Sequence, residues 1–115
     1  GSIDIDGNER YDALTDGLLL LRAMFGLDGS ALVASTIASD AVYIESVDIE
    51  ARIATLGDLA DIDGNGQVDP LSDGLLIVRY LFGLEGATLI NGVIATDATR
   101  TTSDEIEAQL QTLMP

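Results

Sequence analysis

The chain is an internal duplication. Setting residue n against residue n+57 pairs residues 4–58 with 61–115 without a gap, and 27 of the 55 pairs are identical, where chance would leave about three or four. The repeat organises the rest of the chain. The expected organisation is therefore one domain over 1–115, made of repeat 1 (4–60) and repeat 2 (61–115). Most of the identities fall in three groups: Asp4-Ile5-Asp6-Gly7-Asn8 with Asp12, Leu14 and Asp16-Gly17; Leu18, Leu19, Arg22 and Phe25-Gly26-Leu27; and Ser46, Ile49-Glu50-Ala51 and Thr55-Leu56. An apolar fraction of 47% over 115 residues is enough for a packed core.

The pattern within each repeat is helical. Residues 16–25 and 73–82 are helix formers, opened by Thr15-Asp16 or Ser72-Asp73 and stopped by Gly26 or Gly83. Residues 46–56 and 103–113 place Ile49, Ile53 and Leu56, or Ile106, Leu110 and Leu113, on one face, and Thr102 with Glu105 fits a capping box. Residues 30–38 and 87–95 read as short connecting helices, with strand left open by their β-branched residues. The fold class is all-α: two tandem loop–helix units, each with an additional connecting helix. For the apolar helices at 18–21 and 75–78 the readings are burial between other helices or an exposed patch for a partner. Arg22 and Arg79 are expected to reach from these helices to a carboxylate.

Composition removes many functions. Twenty acidic residues stand against five basic ones, all arginine, for a net charge of −15. Nucleic acid is excluded as a partner, because holding phosphates needs clustered cations. Without Cys, His or Lys, a thiolate nucleophile, an imidazole base, a Schiff base and a zinc site of Cys and His are all unavailable. No apolar run is long enough to insert in a membrane. Gly1-Ser2 reads as a cloning remnant, and an export signal is expected outside this sequence.

The chemistry concentrates in two acidic loops. Asp61, Asp63, Asn65 and Asp69 occupy positions 1, 3, 5 and 9 of a loop that runs into a helix, and Asp4, Asp6, Asn8 and Asp12 repeat the pattern. Alternate spacing turns successive oxygens toward one centre. Ca²⁺ takes about six to eight oxygens at ~2.3–2.6 Å, and each loop offers four side chains, the position-7 carbonyl of Arg10 or Gln67, and a following carboxylate. Mg²⁺ fits less well, since it prefers few protein ligands in strict octahedral geometry. Two Ca²⁺ would bring the formal charge from −15 to −11. The competing reading is a pair of solvated turns, because Asp, Asn and Gly favour turns without any metal. Asp40 and Asp97 are expected to cap the following turn rather than meet a second ion. Glu50 and Glu107 are expected on the helix surface.

These residues resemble the EF-hand-like loops of dockerins, the duplicated calcium modules of secreted bacterial polysaccharide-degrading enzymes. The resemblance covers Asp4 to Phe25 and Asp61 to Phe82. It implies ligands at loop positions 1, 3, 5, 9 and 12. The first four carry over; at position 12 stand Thr15 and Ser72, with Asp16 and Asp73 one residue later, which implies a loop longer by one in which the late aspartate closes the sphere. Glu9 stands where Gly66 occupies position 6, which implies strain in the first loop. Cohesin-binding dockerins carry polar pairs at positions 10 and 11, whereas this chain has Ala13-Leu14 and Pro70-Leu71, which argues against a cohesin partner. The repeat is also longer than in most dockerins and is similar to a longer repeat of secreted marine bacterial proteins.

The helix at 46–56 enters the second loop, and the helix at 103–113 is expected to fold back beside Asp4 as its counterpart, giving two hands about a pseudo-twofold axis. The leading functional expectation is a non-catalytic, calcium-binding interaction or anchoring module of a secreted or cell-surface protein, holding two Ca²⁺ and offering a helical surface to a protein partner. The alternative is a calcium-stiffened spacer without a specific partner. A hydrolase is the third reading, left only carboxylate chemistry.

Overall fold

The computed structural model describes residues 2–114, and all regular structure among them is helical. Gly1, half of the pair read as a cloning remnant, and Pro115 lie outside the described residues. Repeat 1 forms α1 (Leu18–Met24), α2 (Gly29–Val33) and α3 (Ser46–Ala54), and repeat 2 forms α4 (Leu75–Leu81), α5 (Gly86–Ile90) and α6 (Ser103–Thr112). Helices α1 and α2 recur as α4 and α5 at the 57-residue offset, and α6 starts at the equivalent of α3 but runs one residue further. The all-α expectation therefore holds; of the segments left open between helix and strand, 30–38 and 87–95, only residues 30–33 and 87–90 are helical, and the remainder is turn or irregular.

Helix ends follow local chemistry where the sequence is explicit. Gly26 and Gly83 take φ values of +89° and +92° after α1 and α4. Around the first, the Gly26 N–H donates to Ala23 O at 2.9 Å and the Leu27 N–H to Arg22 O at 3.0 Å, the paired bonds of a left-handed helix terminus. At the head of α6, the Thr102 side chain accepts from Glu105 N–H and the Glu105 carboxylate accepts from Thr102 N–H.

The starts of α1 and α4 differ from expectation. Each is preceded by one wide π-helical turn, Ala13–Gly17 and Pro70–Gly74, in which the Gly17 N–H donates to Asp12 O and the Gly74 N–H to Asp69 O, both at 3.1 Å. Helical geometry thus begins three residues before Asp16 and Asp73. Neither Thr15-Asp16 nor Ser72-Asp73 caps a helix, because the aspartate carboxylates turn back to the preceding loop. Pro70 suits the first position of its turn, where no N–H is required.

The core is built from repeat-equivalent pairs. Ile5 and Ile62, Leu19 and Leu76, Leu20 and Ile77, Leu32 and Leu89, Ile49 and Ile106, and Leu56 and Leu113 are all at most 2% exposed. The apolar helices α1 and α4 are accordingly buried along this face. They pack on each other, and each also packs on the π turn of the other repeat. Glycine permits that approach: a Cβ on Gly17 would lie 3.3 Å from Val78 Cγ2, and one on Gly74 would lie 2.7 Å from Leu21 Cδ1.

Arg22 and Arg79 do not reach a carboxylate. Arg22 Nη1 donates to the carbonyls of Ala31, Leu32 and Ala34, and Arg79 Nη1 to those of Thr88, Leu89 and Asn91. The short helices α2 and α5 end there, and the carbonyls at a helix C-terminus draw a cation as well as a carboxylate would. Helix α3 leads through a 3₁₀ turn, Gly57–Ala60, into the second loop. At the first loop the Ile3 N–H donates to Leu113 O at 2.9 Å, so the C-terminal end of α6 lies beside Asp4 as expected. No helix among the described residues is long and apolar enough to cross a membrane.

Candidate metal centre

Each loop opens with an alternation that separates its two tasks. Ile5 and Ile62 are fully buried and anchor position 2 in the core, which leaves the flanking aspartates to turn toward the opposite side of the chain. Asp4, Asp6 and Asp16 each bring a carboxylate oxygen within 4.8 Å of the others, and Asp61, Asp63 and Asp73 do the same. The late aspartate, at position 13, reaches the group because the π turn absorbs the one-residue excess without disturbing the helix that follows.

Backbone donors orient these carboxylates. Asp16 Oδ1 accepts from Ile5 N–H at 2.8 Å and Asp6 N–H at 3.3 Å, while its Oδ2 accepts from Asp12 N–H at 3.0 Å, so one side chain ties the start of the loop to its end. Asp73 repeats this with Asp63 and Asp69. Asp4 accepts from Gly7 and Glu9 N–H, and Asp61 from Gly64, Asn65 and Gly66 N–H. Glu9, at φ +67°, takes the left-handed conformation that Gly66 holds at +87°, which a side chain resists.

Electrostatics make the groups costly by themselves. Burial lifts the Asp16 and Asp73 carboxyls to about 6, with their neighbours Asp6 and Asp63 adding to the shift. Asp6 and Asp63 are fully buried and also raised, first by burial and then by Asp4 or Asp61. One oxygen of each, Asp6 Oδ2 and Asp63 Oδ1, is buried with no hydrogen-bond partner. A buried acceptor facing other carboxylates needs a proton or a cation. Three hard oxygen donors at close range suit an alkaline-earth ion far better than a soft one.

The other predicted ligands stand around these groups. Asp12 and Asp69 are not in the close carboxylate sets, and Asp12 lies 3.6 Å from Arg10 Nε. Asn8 and Asn65 use Oδ1 to accept from the backbone N–H of Arg10 and Gln67, 3.0 Å in both loops. Their amide nitrogens donate to Asp40 and Asp97. Asp40 therefore does not cap the next turn; it also pairs with the Arg10 guanidinium at 2.6 Å, which holds its carboxyl below the usual range. Asp97 likewise faces the loop rather than a helix end. Glu50 is exposed and Glu107 partly exposed.

Two arginines escaped the sequence reading. Arg52 donates from Nε to Ile5 O at 2.8 Å and from Nη2 to Asp4 O at 2.7 Å. Arg100 makes the same pair of bonds to Ile62 O at 2.8 Å and Asp61 O at 2.9 Å. They are not repeat equivalents: position 52 corresponds to Gln109, and position 100 to Tyr43. Duplication therefore gave no signal for either. Tyr43 instead places its ring under the Arg52 guanidinium, 4.3 Å from centroid to Cζ.

Compared with known proteins, the chain matches no family model, no curated protein and no solved structure.

Proposed function

We propose that this chain is a non-catalytic calcium module, dockerin-like in its loops, that folds around two Ca²⁺ and serves as an interaction or anchoring unit of a secreted bacterial protein. The observation that carries the reading is the buried, partnerless carboxylate oxygen inside each group of three aspartates, present twice at the repeat offset. The ligands assigned are Asp4, Asp6, Asn8, Asp12 and Asp16 with the Arg10 carbonyl, and Asp61, Asp63, Asn65, Asp69 and Asp73 with the Gln67 carbonyl. The bound ion would neutralise oxygens that otherwise repel, so calcium acts as a folding ligand and stabilises by mass action. Outside cells even the weak affinity of extracellular modules, Kd about 10⁻⁴–10⁻³ M, gives occupancy. A partner surface is supported by Phe25 and Phe82, each 57% exposed at equivalent helix ends.

Calorimetric titration with Ca²⁺ should count two ions per chain, with Mg²⁺ binding more weakly. EDTA should lower the helical circular dichroism. A count of zero overturns the ligand assignment, and a spectrum and melting curve indifferent to chelator overturn calcium-coupled folding.

A further inference from the structure

The first three residues of each loop have all their carbonyls engaged by the protein. Asp6 O accepts from Val42 N–H at 2.8 Å and Tyr43 N–H at 3.0 Å, and Asp63 O accepts from Thr99 and Arg100 N–H, both at 2.9 Å. The guanidinium of Arg52 or Arg100 takes the two carbonyls before it. A segment whose three successive carbonyls are all held is restricted in its rotation, and that limits where its side chains can point. In both loops those at positions 1 and 3 point to the close approach of the three carboxylates.

The same guanidinium placement is reached by two different routes. In repeat 1 it comes from α3, with the Tyr43 ring beneath it; in repeat 2 it comes from the segment before α6, from the position Tyr43 holds in repeat 1. Gln109, the equivalent of Arg52, donates instead to Leu59 O at 3.2 Å. The two repeats differ at both positions yet put two parallel donors on equivalent carbonyls.

We infer that Arg52 and Arg100 are the positioning residues of the two cation loops, each holding the carbonyls of loop positions 1 and 2 so that the aspartates at positions 1 and 3 stay converged on the ion. The inference rests on the calcium reading and adds a role that no ligand pattern contains. Their guanidinium charge faces backbone oxygen rather than carboxylate; within 4 Å the ion pairs of the described residues involve Arg10 alone. The three close carboxylates of each loop therefore have no arginine ion pair that would compete with the cation.

The test exchanges the two routes. Arg100→Tyr removes the donor pair from loop 2, and Arg100→Tyr with Gln109→Arg rebuilds it in the manner of repeat 1. In calorimetric Ca²⁺ titrations the single variant should weaken one of the two sites by about tenfold or more, and the double variant should recover most of that loss. Arg100→Lys, the milder change, keeps the charge but lacks the planar fork, and should also weaken one site. Arg52→Gln should weaken the other. Unchanged affinity in Arg100→Lys and Arg100→Tyr, or a loss that Gln109→Arg does not repair while circular dichroism at saturating Ca²⁺ matches wild type, overturns the positioning role alone. Failure of the wild-type protein to take up any Ca²⁺ overturns the calcium reading and this inference with it.

Discussion

At the scale of single residues, the sign of a substitution should depend on whether the ion is present. Asp63 is buried between Asp61 and Asp73 with one oxygen lacking a partner. In calcium, Asp63→Ala should remove one ion and lower Tm, whereas Glu50→Ala should do neither. In EDTA, Asp63→Asn should raise Tm, because the isosteric amide removes a repelling buried charge, and in calcium it should lower Tm as Asp63→Ala does; calorimetry of Asp63→Asn under both conditions reads the two signs. Position 4 and position 6 of the loop offer a second contrast. Gly66 has open space where a Cβ would stand, so Gly66→Ala should cost about 1 kcal/mol for its positive φ alone. A Cβ on Gly64 would run into the Thr99 hydroxyl as well as adopt positive φ, and Gly64→Ala should cost clearly more in urea unfolding with calcium. Equal losses would mean that Thr99 moves aside freely.

At the scale of elements, the π turns join the loop to the fold. Each carries a late aspartate to its loop and rests against the helix of the other repeat, so a change in one is felt in both halves. Gly74→Ala would set a methyl against Leu21 and Met24 and should destabilise by about 1–3 kcal/mol. The looser contact at Gly17 should make Gly17→Ala milder, a ranking that denaturant midpoints would reverse if the interface adapts instead. Helix α6 is set by its own cap. Thr102→Ala should cost about 1 kcal/mol with the ion count unchanged; loss of an ion in that variant would tie the cap to the loops.

For the whole molecule, a net charge of −15 and two buried acidic groups make stability a function of pH and cation together. Without calcium, the Asp16 and Asp73 carboxyls titrate near 6 in the folded chain, above their ordinary value of 3.8. The folded state then binds protons more tightly than the unfolded one. Their contribution is complete below about pH 3.8 and lost as pH rises through about 6. Tm in EDTA should therefore rise as pH falls from 7.5 to 5. With calcium the direction should reverse, since protons compete for the same oxygens. Scanning calorimetry in both conditions across that interval would show the two trends crossing, and parallel curves would disprove the shared site.

Local rules made the helical class, the helix stops at Gly26 and Gly83, the Thr102–Glu105 cap and the approach of Asp16 and Asp73 to their loops legible in the sequence. Each depends on residues close along the chain or on the 57-residue echo. The π turns were missed because a wide turn leaves no compositional mark beyond the aspartate arriving one residue late. Arg22 and Arg79 were assigned the wrong partner because the carbonyls at the ends of α2 and α5 gather only once those helices end where they do. Arg52 and Arg100 were invisible because they are not equivalents in the duplication, and their shared role arises from where α3 and the approach to α6 lie in space. Sequence chose which oxygens could gather; tertiary packing chose which donors hold the backbone still while they do.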